Sequence, residues 1–241
     1  MVLAAGAGRR LRPYTDTLPK ALVPVDGDIT ILDIALRNLA AVDLRDVVVV
    51  VGYASGAIEE RQPGLERRYG VKLELVHNDK AEIWNNAYSL WCAREHFADG
   101  ALLVNGDTVH PVAVEETLLS SRGPELLLAV DAEKVLAEEE MKIRLGDGGR
   151  VEQITKLMDP SSAYAEYIGA TLIEGSAAQK VSDALQATFD RDPQLYYEDG
   201  YQHLADQGEF IGTVELPSGT AWVEVDDQVD LRRAREIACR Y

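Results

Sequence analysis

Residues 1–25, MVLAAGAGRRLRPYTDTLPKALVPV, decide how the rest of the chain is read. A short apolar run, Val2-Leu3-Ala4-Ala5, opens into Gly6-Ala7-Gly8; Arg9 and Arg10 follow, and Lys20 comes after Pro19. Small residues let the backbone approach a ligand closely, and successive backbone N–H groups can converge on an anion. Arg9, Arg10, Arg12 and Lys20 concentrate mobile positive charge in the same place. The stretch therefore reads as a strand running into a phosphate cradle. That strand looks clipped, because only Val2 to Ala5 precede the glycines.

Working outward, residues 30–41 carry apolar side chains at helical spacing, with Asp28 available as a cap. Val47 to Val51 is an unbroken β-branched run, as in a strand covered on both faces. A helical stretch with charged faces then runs to Tyr69, interrupted near Pro63, and Lys72 to Val76 alternates as a strand. A helix from Asn85 to Phe97 leads into an apolar strand, Ala101 to Val104, which ends in Asn105-Gly106-Asp107. Residues 112–121 read as helix and Glu125 to Val130 as another buried strand. This β-α alternation predicts right-handed crossovers and an open sheet with ligands at the strand carboxyl ends.

After Asp131 the pattern changes to an acidic loop or short helix (AEKVLAEEEM) and short strands near 142–146, 150–155 and 166–173, with a Gly-Asp-Gly-Gly turn at 146–149. Helices at 176–190 and 198–207, strands near 210–216 and 221–225, and a helix from Val229 complete the chain. The expected fold is α/β, a Rossmann-like, mostly parallel mixed sheet flanked by helices with a small β-rich lobe. The expected organisation is one domain over residues 1–241, with 1–131 as the core that carries the phosphate cradle and 132–241 as a second lobe plus closing strand and helix.

Composition narrows the function class. The 241 residues carry a net charge of −17, which argues against a nucleic-acid surface. No apolar run is long enough for a membrane span, and the start lacks a signal-peptide layout. Cys92 and Cys239 lie far apart and suit a reducing, cytoplasmic setting. The four histidines show no metal-pairing spacing, and Trp84 and Trp91, seven apart, share a helical face as packing residues.

The full opening string, L-A-A-G-x-G-x-R-L-x-P-x-T-x-x-x-P-K-x-L-x-P-V, closely resembles the signature of nucleotidyltransferases that couple NTPs to sugar phosphates and alcohol phosphates. Gly6, Gly8, Arg10, Leu11, Pro13, Thr15, Pro19, Lys20, Leu22 and Pro24 fall on it. The string is neither a P-loop nor a dinucleotide fingerprint, since no Gly-Lys-Ser/Thr and no third glycine follow. The resemblance implies the nucleotide-diphospho-sugar transferase type of fold. It also implies that Leu3, Ala4, Ala5, Gly6, Gly8, Asn105 and Gly106 bind nucleotide, Arg10 holds the β- and γ-phosphates, and Lys20 neutralises charge at the α-phosphate. In LLVNGDT, Asp107 matches the family's magnesium ligand, and in WVEVDDQVDL the second ligand falls on Asp226, with Asp227 as rival and Asp230 in a helix-capping position.

The segment Asn85-Asn86-Ala87-Tyr88-Ser89-Leu90 resembles the cytidylyltransferase branch, which uses choline phosphate, inositol 1-phosphate or phosphonates. Asn85, Asn86 and Ser89 are thus expected at the base, although Asn85 or Asn86 could equally cap the helix. Lys156 matches the lysine that meets the acceptor phosphate. Glu166, Tyr197, Glu198, Asp199, Trp222 and Glu224 are the acceptor-pocket candidates, an aromatic and acidic set suited to an amine or to polyol hydroxyls. Tyr197 stands where choline-phosphate relatives have tryptophan, which weakens a choline assignment. The implied reaction is Mg2+-dependent transfer of CMP from CTP to a small phosphate monoester or phosphonate. A sugar-1-phosphate enzyme using UTP or dTTP is the nearest alternative, and a catalytically silent nucleotide-sensing subunit is one of another class; a molybdopterin-type transferase fits the long C-terminal half less well. The sequence leaves the acceptor and the oligomeric state open, a homodimer being one option.

Overall fold

The computed structural model describes residues 1–239. The elements are β1 (Val2–Leu3), β2 (Pro24–Asp26), β3 (Ile29–Thr30), α1 (Ile31–Ala41), β4 (Asp46–Val51), α2 (Gly56–Tyr69), β5 (Lys72–His77), α3 (Asn86–Cys92), β6 (Ala101–Asn105) and β7 (Thr108–Val109). They continue with α4 (Ala113–Ser120), β8 (Leu126–Asp131), β9 (Lys142–Leu145), β10 (Val151–Thr155), β11 (Ala165–Ile173), α5 (Ala178–Arg191), α6 (Tyr197–Asp206), β12 (Ile211–Glu215), β13 (Val223–Glu224) and α7 (Gln228–Ala238). The class is the expected one: a mixed, mostly parallel central sheet flanked by helices, with small antiparallel sheets.

Contacts divide the chain into two compact units. The first holds Met1–Ile83, Val104–Glu115 and the segment from Gly219; the second holds Trp84–Leu103 and Glu116–Ser218. The chain thus enters each unit more than once.

In the first unit, β1 lies parallel to both β4 and the end of β6, and β5 lies parallel to β4. The apolar faces that the sequence advertised meet in one cluster: Leu11, Val23, Ile31, Ile34, Val109, Val225 and Leu231 are all buried together. In α1, Thr30 and Asp33 form the cap reciprocally. The Asp33 backbone N–H donates to Thr30 Oγ1 at 3.3 Å, and the Thr30 N–H donates to Asp33 Oδ2 at 2.9 Å. Asp28, expected as the cap, instead accepts from Arg68 at 3.0 Å, because Thr30 sits one residue before the helix and Asp28 does not. Nor does Pro63 interrupt α2, which runs unbroken to Tyr69. The ring is exposed, so the helix loses one hydrogen bond on its solvent side and keeps its packed face.

In the second unit, β8 pairs antiparallel with β11 and parallel with β12, and β9 pairs antiparallel with β10 and β11. All nine residues of β11 are buried. The AEKVLAEEEM stretch is loop, without a helix. Among the described residues, no helix is long and apolar enough to cross a membrane.

Candidate active site

The glycine loop of the first unit is built by steric necessity. Gly8 has φ +57°, and a Cβ there would lie 2.9 Å from Lys20 Cβ. The Lys20 backbone N–H donates to Gly6 O at 3.1 Å, and the buried Thr15 hydroxyl donates to Gly8 O at 2.8 Å. The loop therefore folds back so that the Lys20 side chain lies against the glycine face. Leu11 anchors it in the apolar cluster of this unit, and Leu22 is likewise almost wholly buried.

Gly106 performs the same service for Asp107. A Cβ at Gly106 would come within 2.4 Å of Leu3 O, to which the Gly106 N–H donates at 2.9 Å. Asp107 then leads into β7, which pairs antiparallel with β13, and the Val225 N–H donates to Asp107 O at 2.8 Å. That pairing brings the C-terminal acids to Asp107. Lys20 Nζ donates to Asp107 Oδ2 at 2.9 Å and to Asp226 Oδ1 at 2.5 Å, and Arg10 reaches Asp226 Oδ2 at 3.1 Å. Burial opposes the charge on Lys20, but Asp107, Asp226 and Glu224 outweigh it and raise the lysine above its usual range, so the ammonium is firmly held.

Asp107, Glu224 and Asp226 offer carboxylate oxygens all within 4.8 Å of one another. Asp107 Oδ1 is buried and has no hydrogen-bond partner among the described residues. An orphaned carboxylate oxygen inside a three-acid group is what a hard divalent cation would satisfy. The residues present thus fit a metal. Asp227, the rival ligand, is spent on the N-cap of α7, accepting from the Val229 and Asp230 N–H groups at 2.6 and 3.1 Å. Asp230 completes that capping box.

Glu224 was expected at the acceptor but lies in the acid group. Its position two residues from Asp226 on a strand-like segment was the available signal, since period two puts both side chains on one face. Trp222 lies partly buried just before β13.

The match to known proteins decides the family. The nucleotidyl transferase family model matches residues 1–155. The chain belongs to the nucleotidyl transferase family. This family member is 37% identical over 103 residues to a choline-phosphate cytidylyltransferase of Streptococcus pneumoniae, which covers 43% of the chain and 42% of the relative. It is 30% identical over 247 residues to a CMP-5'-(3-aminopropyl)phosphonate synthase of Streptomyces rubellomurinus, covering 97% of the chain and 38% of the relative. It thus spans less than half the length of these two curated relatives. The structure of the inositol-1-phosphate CTP transferase from T. maritima superposes with a TM-score of 0.81 at 22% identity, covering 98% of this chain and 94% of that one. The CTP:phosphocholine cytidylyltransferase of Streptococcus pneumoniae superposes at 0.76 with 25% identity, covering 98% and 97%.

The second unit of this nucleotidyl transferase holds the remaining candidates, and packing claims most of them. Asn85 caps α3, its Oδ1 accepting from the Asn86 N–H at 2.8 Å while its Nδ2 donates to Gln194 O at 2.9 Å. Asn86 Oδ1 accepts from the Tyr197 N–H at 2.9 Å. Both asparagines therefore bind the start of α3 to the 193–197 segment. Ser89 is buried.

Tyr197 is fully buried, edge-on to Tyr167 and Tyr201, with its hydroxyl 3.1 Å from that of Tyr167. Burial and the nearby Glu198 carboxylate push its ionisation well up, so it stays a neutral phenol. A ring so enclosed leaves no face for a cationic headgroup. Glu198 is also buried, and Asp199 accepts from the Tyr196 N–H at 2.8 Å as a cap. Lys156 Nζ lies over the Tyr196 ring, 5.5 Å from its centroid. Glu166 is buried and pairs with Lys134 at 2.7 Å. Trp84 and Trp91 both pack on Phe189, as expected of packing residues, although Trp84 precedes α3 and does not share its face; Tyr88 joins them on the same ring.

Proposed function

We propose that the chain is a Mg2+-dependent cytidylyltransferase that transfers CMP from CTP to a small phosphate monoester or phosphonate and releases pyrophosphate. The observation that carries it is the charge group of the first unit, in which Lys20 and Arg10 face Asp107 and Asp226 beside the glycine loop. In the reaction an acceptor phosphate oxygen forms the new bond to the α-phosphorus. The bond from that phosphorus to the β-bridging oxygen breaks, and pyrophosphate leaves with the electron pair. A phosphate monoester has a second pKa near 6. Its nucleophilic oxygen is already charged at neutral pH, and no general base is needed.

The chain's task is then positioning and charge neutralisation. Lys20 and Arg10 are assigned to the triphosphate, Lys156 to the acceptor phosphate, and the start of α3 with Asn85, Asn86 and Ser89 to the base. Asp107, Asp226 and Glu224 would hold the divalent ion, which would supply positive charge to the triphosphate when bound. The preference for CTP is supported by the choline-phosphate, aminopropylphosphonate and 2-aminoethylphosphonate relatives. A UTP–glucose-1-phosphate uridylyltransferase of Haloferax volcanii, 35% identical over 109 residues, supports the sugar-phosphate reading as the second choice. A cytoplasmic location, and both units acting as one catalytic domain, belong to the same proposal.

A pyrophosphate-release screen tests it, crossing four NTPs with phosphocholine, inositol 1-phosphate, aminoethyl- and hydroxyethylphosphonate and hexose 1-phosphates. CTP turnover with a member of the first four acceptors is the expected result. Turnover confined to UTP or dTTP with hexose 1-phosphates would overturn the cytidylyl assignment.

A further inference from the structure

We propose that Lys134 determines acceptor specificity: its ammonium is a built-in counter-ion on the Glu166 carboxylate, and it selects against acceptors that carry an ammonium group of their own. The inference rests on the cytidylyltransferase reading and on the expectation, from the family resemblance, that Glu166 lines the acceptor pocket.

Glu166 lies on β11, where every neighbour along the strand is buried, and is itself 3% exposed. An ionised carboxylate in such surroundings needs a cation. Its register partners are Asp131 on β8 and Lys142 on β9. Lys142 is the obvious candidate but is already committed. Its Nζ donates to the carbonyls of Ala137, Glu138 and Glu140 at 3.1, 2.8 and 3.0 Å, which uses all three N–H groups of an ammonium. Asp131 only adds negative charge, and its Oδ1 is engaged by the Glu133 and Lys134 backbone N–H groups at 2.9 and 3.0 Å.

Those two bonds shape the turn that carries Lys134, and the Lys142 contacts hold the far side of the same loop. Lys134 Nζ consequently reaches Glu166 Oε2 at 2.7 Å and Glu140 Oε1 at 3.4 Å. Burial raises the Glu166 carboxyl to about 7, with Lys134 pulling the other way. The pair is thus a local neutralisation designed into the loop. The lysine side chain is 39% exposed and the Glu166 side chain only 4%, so a ligand from solvent meets the Lys134 ammonium in front of the carboxylate. An acceptor with a quaternary or primary ammonium would bring a second cation to a carboxylate that already has one. A hydroxylated, uncharged remainder on the phosphate or phosphonate meets no such penalty.

The test compares matched acceptors, 2-aminoethylphosphonate and 2-hydroxyethylphosphonate, on the wild-type chain and Lys134→Met. The wild type should favour the hydroxyl member by at least ~10-fold in kcat/KM, and Lys134→Met should move that ratio toward the amine by ~10-fold or more. Equal or better use of the amine by the wild type, or an unchanged ratio in the variant, overturns the proposal. If Lys134→Met does not fold, Lys134→Met/Glu166→Gln removes both charges together and should bring the ratio near one; a retained wild-type ratio overturns the proposal. If no NTP supports turnover, the activity assignment fails. Calorimetric binding of the two phosphonates then decides alone: the same shift in preference upholds the role of Lys134, and no binding of either compound overturns it.

Discussion

The two units use their ionisable and polar residues in opposite ways. In the first, Lys20, Arg10, Asp107, Asp226 and Glu224 converge on one another at the rim of a glycine loop, and Asp107 Oδ1 has no hydrogen-bond partner among the described residues. In the second, Asn85, Asn86, Tyr197 and Asp199 are spent on caps and buried contacts, and Glu166 already has its cation. The first arrangement suits differential stabilisation of a highly charged transition state. The second suits a rigid wall whose selectivity lies in which charges it has already satisfied. Chemistry and selectivity are therefore expected to respond to different substitutions.

The largest effect should come from the first unit. Lys20→Ala is expected to cut kcat by ~10²-fold or more while near-UV circular dichroism stays native. Full turnover in the folded variant would remove Lys20 from the chemistry. Gly106→Ala should cost about 3 kcal/mol of unfolding free energy, because its Cβ meets the Leu3 carbonyl and the backbone cannot yield. Gly6→Ala, with open space around its Cβ, should stay within about 0.5 kcal/mol in the same urea titrations.

For the second unit the expected signature is pH-dependent stability. Burial raises Glu166 from 4.5 to about 7 in the folded chain. Below 4.5 both states are protonated and the group is neutral to stability. As pH rises to 7 the unfolded chain ionises first, so this group should cost about 3 kcal/mol by pH 7 and stay level above, each pKa unit being worth about 1.4 kcal/mol. Glu166→Gln should erase that slope relative to wild type across the same window; parallel curves would show that the carboxyl is not perturbed. Asn86→Ala should give the smallest effect, about 1–2 kcal/mol of stability, from the orphaned Tyr197 N–H. A large loss in kcat with unchanged stability would instead make Asn86 a ligand contact and narrow the contrast between the units.

Legibility in the sequence follows the same divide. The glycine loop was readable because its requirements are local: Gly8, Thr15, Pro19 and Lys20 fit together within one short segment. The apolar runs Val47 to Val51 and Leu126 to Val130 likewise announced strands buried on both faces. Asp226 could be matched to the family pattern, but only the β7–β13 pairing and the capping box of Asp227 separate it from its neighbour. Glu166, Tyr197 and Glu198 were recognisable as a polar set, whereas their burial depends on strands and helices distant in sequence. Lys134 gave no signal. It stands in an acidic loop, and its partner is fixed by the saturation of Lys142, a three-dimensional fact.

The most direct test of cytidylyl transfer is 31P NMR of the chain with CTP, Mg2+ and the acceptor preferred in the screen. Loss of CTP should be matched one for one by pyrophosphate and by a new pair of coupled resonances from the P–O–P link between CMP and the acceptor. Release of orthophosphate with CDP, or CTP consumption with no new coupled pair, would contradict attack of the acceptor on the α-phosphorus.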